Sequence, residues 1–271
     1  YPETIQLGDV TKVKYENGIL YSENGEFEVG QIDLVIGGSP CQNLSGAMKN
    51  EHRNGLEGEK SKLFFEYDRI LKEVSPRYYL LENVGSMKND DKEIITEIMG
   101  SNPTKINSEA LSHQLRNRYY WTNLNVNQID KKNLQLNDIL TNGWSDRSKA
   151  RCLLESDSRP LTDPLRMFHR YYSTGFTTLI FKSEEHYNLC KEHYDKYFKD
   201  KSAKEINEIR GEVDISTYDG VRYMSQGELE QCQTIPIGYT SNITRNEAAS
   251  LLGDGWTVDV IAHIFKGLKD K

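Results

Sequence analysis

The feature that most narrows the folds open to this chain is the apolar run Ile32 to Ile36, closed by Gly37 and Gly38. A short apolar run bounded by glycines suits a strand buried on both faces of a parallel sheet. A loop follows, and Ser61 then precedes a stretch in which Leu63, Tyr67, Ile70, Leu71 and Val74 share one helical face, with Pro76 just beyond. Tyr78 to Leu81 reads as the next strand. Asp90 or Asp91 caps a second helix running to about Met99, which Gly100 and Pro103 end. This alternation predicts an α/β fold with a doubly wound, mostly parallel sheet.

In such sheets ligands sit beyond the carboxyl ends of the strands. The first run is followed by Gly37-Gly38-Ser39-Pro40-Cys41-Gln42-Asn43-Leu44-Ser45, and the second by Glu82-Asn83-Val84. A cysteine and a carboxyl group are thereby offered to one crevice, a pairing that suits covalent catalysis with a neighbouring acid.

Composition removes several classes of function. The 271 residues hold four scattered cysteines, Cys41, Cys152, Cys190 and Cys232, with no zinc-like spacing and no disulfide framework, so no metal is expected. No apolar stretch is long enough to span a bilayer, and Tyr-Pro-Glu-Thr is not the start of a secretion signal, so the expected setting is the cytoplasm, or the nucleus of a eukaryote. A net charge of −7 argues against a uniformly basic nucleic-acid coat. Arg147, Lys149, Arg151, Arg159, Arg166, His169 and Arg170 leave two readings open, a local basic cleft and basic residues scattered over a solvated surface, the commoner arrangement.

Pro40-Cys41-Gln42, then Glu82-Asn83-Val84, then Gln114-Leu115-Arg116-Asn117-Arg118 resemble, in order, the catalytic loop, second catalytic motif and Gln-x-Arg-x-Arg strand of the DNA cytosine-5 methyltransferases. Arg222, Glu228, Gln231 and Pro236 fall in a pattern similar to a later motif of that family. Ser241-Asn242 with Gly255-Trp256-Thr257-Val258 resembles its closing one. Gly-Gly-Ser-Pro-Cys followed by Asn-Leu-Ser, and Arg118-Tyr119-Tyr120-Trp121, resemble most the animal de novo branch, from which Gln42 departs.

The resemblance implies a reaction and a set of roles. Carbon 5 of cytosine is a poor nucleophile, so its methylation needs a temporary adduct at carbon 6, which a Cys41 thiolate can form. Glu82 would hydrogen-bond the cytosine edge, with Arg118 fixing Glu82 and Arg116 touching the flipped base or its backbone. Alternation along a strand puts both arginines on one side. Ser39, Pro40 and Asn83 are the remaining candidates for substrate contact. The glycine-punctuated stretch with Lys49, His52, Arg53 and Lys60 suits a loop that closes over phosphate.

The implied partner is double-stranded DNA and the implied cofactor S-adenosyl-L-methionine. Asp9 and Val10 would read its adenine, and Leu63, Gly255 and Trp256 would wall it. The family's Gly-rich turn for the methionine end does not precede Asp9, which leads to the expectation of a preceding segment or second chain that supplies it. The expected organisation is a catalytic core over 1–121, a smaller target-recognition lobe over 122–220 and closing motifs over 221–271 that return to the core. Two readings other than a DNA methyltransferase stay open, a catalytically silent regulatory paralogue and a tRNA methyltransferase. A thiol hydrolase is disfavoured because neither His52 nor His113 stands in a partner arrangement with Cys41.

Overall fold

A computed structural model of the chain describes residues 3–46, 54–154 and 158–269. Lys49, His52 and Arg53 of the expected closing loop lie outside these residues. The chain divides into two compact units, one comprising Tyr1–Asn107, Asn117–Asn127 and Ile264–Lys271, the other Ser108–Arg116 and Gln128–His263.

The first unit opens with an antiparallel meander, β1 Lys14–Glu16, β2 Ile19–Ser22 and β3 Gly25–Glu28. Asn17 and Gly18 join β1 to β2 with φ of 50° and 84°. Two positive φ values make the tight hairpin turn whose twist matches its strands, and Asn-Gly adopts it at little cost. This hairpin signal stands in the sequence between apolar positions, yet strands this short escape a search for periodicity.

A second, four-stranded sheet follows in the order β4-β5-β7-β6, with β4 Leu34–Gly38, β5 Tyr78–Val84, β6 Thr104–Asn107 and β7 Asn117–Thr122. β4 and β5 are parallel, joined across α1, Phe64–Val74, while β7 runs antiparallel to both β5 and β6. The fold is α/β as the alternation predicts, with a mixed sheet. The link from β6 to β7, Ser108–Arg116, is too short for the crossover of a dozen or more residues that a parallel pair requires.

The expectation that the first strand is buried on both faces is corrected. β4 stands at the sheet edge, none of its residues is fully buried, and Ile36 is 48% exposed. Among the described residues nothing pairs with its outer edge. The burial is found instead on β5, where Leu80, Leu81 and Val84 are enclosed and Leu81 and Val84 join Leu44, Leu56, Phe64, Tyr67, Ile95 and Trp121 in one core. Each such side chain contributes roughly 1.5–3 kcal/mol of burial.

Helix α1 ends at Ser75 in the left-handed conformation before Pro76, and α2, Asn89–Met99, ends at left-handed Gly100. Lys88 occupies the N-cap of α2, which places Asp90 and Asp91 in its first turn rather than at the cap.

The second unit contains α3 Pro164–Thr174, α4 Glu184–Tyr197, α5 Ala203–Ile209, α6 Gln226–Cys232, α7 Arg245–Asp254 and most of α8, Val258–Ile264. Phe168, Tyr171, Tyr194, Phe198 and Tyr218 form a small aromatic core. Leu229 and Cys232 of α6 and Ala248, Ala249 and Leu252 of α7 share another with Leu136, Ile139, Ala150 and Ile180. That shared core packs these two helices with residues from the middle of the chain. Arg147 lies over the Tyr171 ring at 4.8 Å and donates to the Gly175 carbonyl. Lys149 donates to the carbonyls of Glu109 and Ser112, so these two members of the basic cluster hold the fold together. Among the described residues no helix is long and apolar enough to cross a membrane and no cluster could hold a metal ion.

Candidate active site

The parallel register sets Gly38 beside Glu82, so the chain leaves β4 for Ser39-Pro40-Cys41 next to the carboxyl-bearing rung of β5. On the other side Glu82 faces Tyr120, and Val84 faces Arg118. Residues two rungs apart on one face are diagonal neighbours within reach of long side chains. Arg118 uses that reach: its Nε lies 2.6 Å from Glu82 Oε1, with both side chains largely enclosed. An Arg–carboxylate contact so placed orients the carboxyl group.

The next residue secures the cysteine loop. Asn83 is 1% exposed, and its amide nitrogen donates to the Ser39 hydroxyl at 2.9 Å and the Ser39 carbonyl at 3.3 Å, while its oxygen accepts from Val84 N. Ser61 Oγ donates to the Pro40 carbonyl. Cys41 is half-buried, and its carbonyl accepts from Leu44 N at 2.9 Å and Ser45 N at 2.8 Å in a tight turn. Leu44, wholly buried, anchors that turn in the core. Ser39 and Asn83 thus act on each other.

Gly37 serves helix packing. A Cβ there would stand 2.7 Å from the ring of Tyr67 on α1, so only glycine lets the helix lie this close to β4. Tyr67 donates to the Val35 carbonyl, and burial raises its phenol pKa.

Arg116 precedes β7 and belongs to the second unit. It is 4% exposed, donating to the carbonyls of Gly253 at 3.1 Å and Gly255 at 2.7 Å and to Cys152 Sγ at 3.3 Å. The strand alternation expected for the two arginines therefore applies to Arg118 alone. Nearby, Gln233, which no sequence motif singles out, donates to the Leu252 carbonyl and accepts from Gln114 and Thr257, so two glutamines and Arg116 tie down the segment before Trp256. Glu228 is fully enclosed. Burial would raise its pKa, but Arg222, with nitrogens at 2.8 and 2.9 Å, and the backbone N–H groups of Ser225 and Thr141 hold it below the ordinary value.

The cofactor candidates divide between the units, with Asp9, Val10 and Leu63 in the first and Gly255 and Trp256 in the second. Asp9 caps the turn Val10–Lys12, and the N–H and hydroxyl of Thr11 both bond its Oδ1 and lower its pKa. Asp9 is exposed, as is Val10, whose carbonyl Arg69 of α1 holds. Leu63 is the N-cap residue of α1, where no side chain bonds the helix end.

The family model for C-5 cytosine-specific DNA methylases matches residues 2–270. The chain belongs to that family. Among its relatives, the orphan methyltransferase M.SPRI of Bacillus phage SPR is 25% identical over 76% of the chain and 46% of its own length. The DNA (cytosine-5)-methyltransferase DRM2 of rice is 62% identical over 45 residues, which cover 17% of the chain and 7% of that protein. The chain spans under half the length of each. A solved methyltransferase of Entamoeba histolytica, EhMeth, shares the fold with a TM-score of 0.57 at 16% identity, over 88% of this chain and 77% of that one.

Proposed function

We propose that this C-5 cytosine methylase transfers a methyl group from S-adenosyl-L-methionine to carbon 5 of cytosine in DNA through a covalent adduct on Cys41. The observation that carries this reading is the Glu82–Arg118 pair, set one strand from the loop that presents Cys41. The Cys41 thiolate adds to carbon 6 of the ring, and Glu82, oriented by Arg118, hydrogen-bonds the cytosine edge as electron density moves onto carbon 5. Carbon 5 takes the methyl group, its proton then leaves to a base, and the sulfur–carbon bond breaks to regenerate the thiolate. Ser39, Pro40 and Asn83 shape the loop around the base.

The cofactor supplies an electrophilic methyl on a sulfonium sulfur. Asp9, Val10 and Leu63 of the first unit are the residues proposed to hold it. Double-stranded DNA is the proposed substrate, with its cytosine turned out of the stack. The phage relative supports a cytoplasmic setting.

Duplex DNA with 5-fluorocytosine in place of cytosine, incubated with S-adenosyl-L-methionine, tests the reading, because after methyl transfer fluorine cannot leave carbon 5 as a proton does and the adduct persists. A complex resistant to denaturant that forms with the chain and not with Cys41→Ser supports the proposal, and no complex with either sinks it.

A further inference from the structure

The turn that presents Cys41 is tied to a second stretch of chain, and α2 grips that stretch. The Asn43 carbonyl accepts from Gly55 N at 3.2 Å, and Gly58 leaves room for the Asn43 side chain, which a Cβ there would overlap. Gly55 has φ of 62°, and a Cβ on it would overlap the Asp91 carboxylate. Asp91 is buried in the first turn of α2, and its Oδ1 accepts from Leu56 N at 3.0 Å. Leu44 and Leu56, on the two sides of this junction, are both buried in the core that contains Ile95, one turn after Asp91. Gly46 N donates to Ser86 Oγ at 3.0 Å.

From this chain of contacts we infer that Asp91 is a positioning residue for Cys41, acting through Leu56, Gly55 and Asn43. The inference rests on the proposed function for the meaning of Cys41, but the contacts stand without it. A first-turn carboxylate also favours a helix through its dipole. That contribution needs charge alone, whereas the grip on Leu56 needs an acceptor at this one place, and the two make different predictions.

The test compares Asp91→Ala, Asp91→Glu and Asp91→Asn in the otherwise unchanged chain. Hydrogen exchange is read at the amides of Leu56, Gly55, Leu44 and Ser45, and the rate of adduct formation on 5-fluorocytosine DNA with S-adenosyl-L-methionine is read beside the affinity for that DNA. Asp91→Ala loses protection at all four amides and slows the adduct by roughly tenfold to a hundredfold, as misplacement of a reacting group does, with DNA affinity unchanged. Asp91→Glu keeps the charge, displaces the acceptor and behaves like the alanine variant, which keeps the test open if alanine unfolds the helix. Asp91→Asn retains an acceptor oxygen and restores both readouts. Unchanged exchange at Leu44 and Ser45 in the alanine and glutamate variants, or equal losses in asparagine and alanine, overturns the inference. A wild-type chain that forms no adduct refutes the proposed function instead, and the exchange readout still decides whether Asp91 holds the Cys41 turn.

Discussion

Nε of Arg118 lies 2.6 Å from Oε1 of Glu82 across an antiparallel pair, two rungs out of register and on the same face. The strand register makes this distance, since Arg118 is opposite Val84 rather than Glu82. A slip of β7 by one residue would turn the guanidinium to the other side of the sheet.

Removing one member of this enclosed pair takes away the other's ion-pair partner. Arg118→Met is expected to destabilise the first unit by roughly 3 kcal/mol or more, and Glu82→Gln in the same chain to return some of that loss. A double-mutant cycle in urea measures the coupling. Glu82→Gln alone should lower turnover roughly a hundredfold or more if the carboxyl acts on the base. Full turnover would remove it from the mechanism.

Arg116 carries a different expectation. Its contacts with Cys152, Gly253 and Gly255 all lie inside the second unit, so Arg116→Met forfeits charged hydrogen bonds of roughly 1.5–3 kcal/mol each. Calorimetry should show a lowered melting transition. A normal melt with defective base binding would instead assign Arg116 to the substrate.

Gly37→Ala pushes a methyl group into the Tyr67 ring and should cost about 1–3 kcal/mol. Combining it with Tyr67→Leu relieves the overlap, so the double variant should unfold at a higher urea midpoint than the sum of the two single effects implies.

Acid stability depends to some extent on Glu228. Its folded pKa lies below the unfolded value near 4.5, so its stabilisation is complete above that value and drains away as pH falls through the lower, folded pKa. Glu228→Gln should flatten this region of the stability profile, measured by denaturant titration from neutral pH down the acid limb. An unaltered slope there means that other carboxylates carry it.

Chemistry that depends on neighbours in sequence is legible in the sequence itself. Pro40-Cys41-Gln42 and Glu82-Asn83-Val84 stand where strands end, and glycine, proline and apolar spacing announce those ends, so the α/β alternation and the Cys41–Glu82 hypothesis come from one-dimensional order. Helix α1 is legible for the same reason, since its apolar face repeats at the helical period. Only the tertiary structure decided that β4 is an exposed edge, that β7 runs antiparallel to β5, and that Arg116 bonds the carbonyls of Gly253 and Gly255, 137 and 139 residues further along the chain. The grip of Asp91 on Leu56 belongs with these. Each is a meeting of groups far apart in sequence, whose partner is set by register and packing rather than by local conformational preference. An arginine or aspartate has the same local propensity whether it meets a base, a carbonyl or the root of a loop.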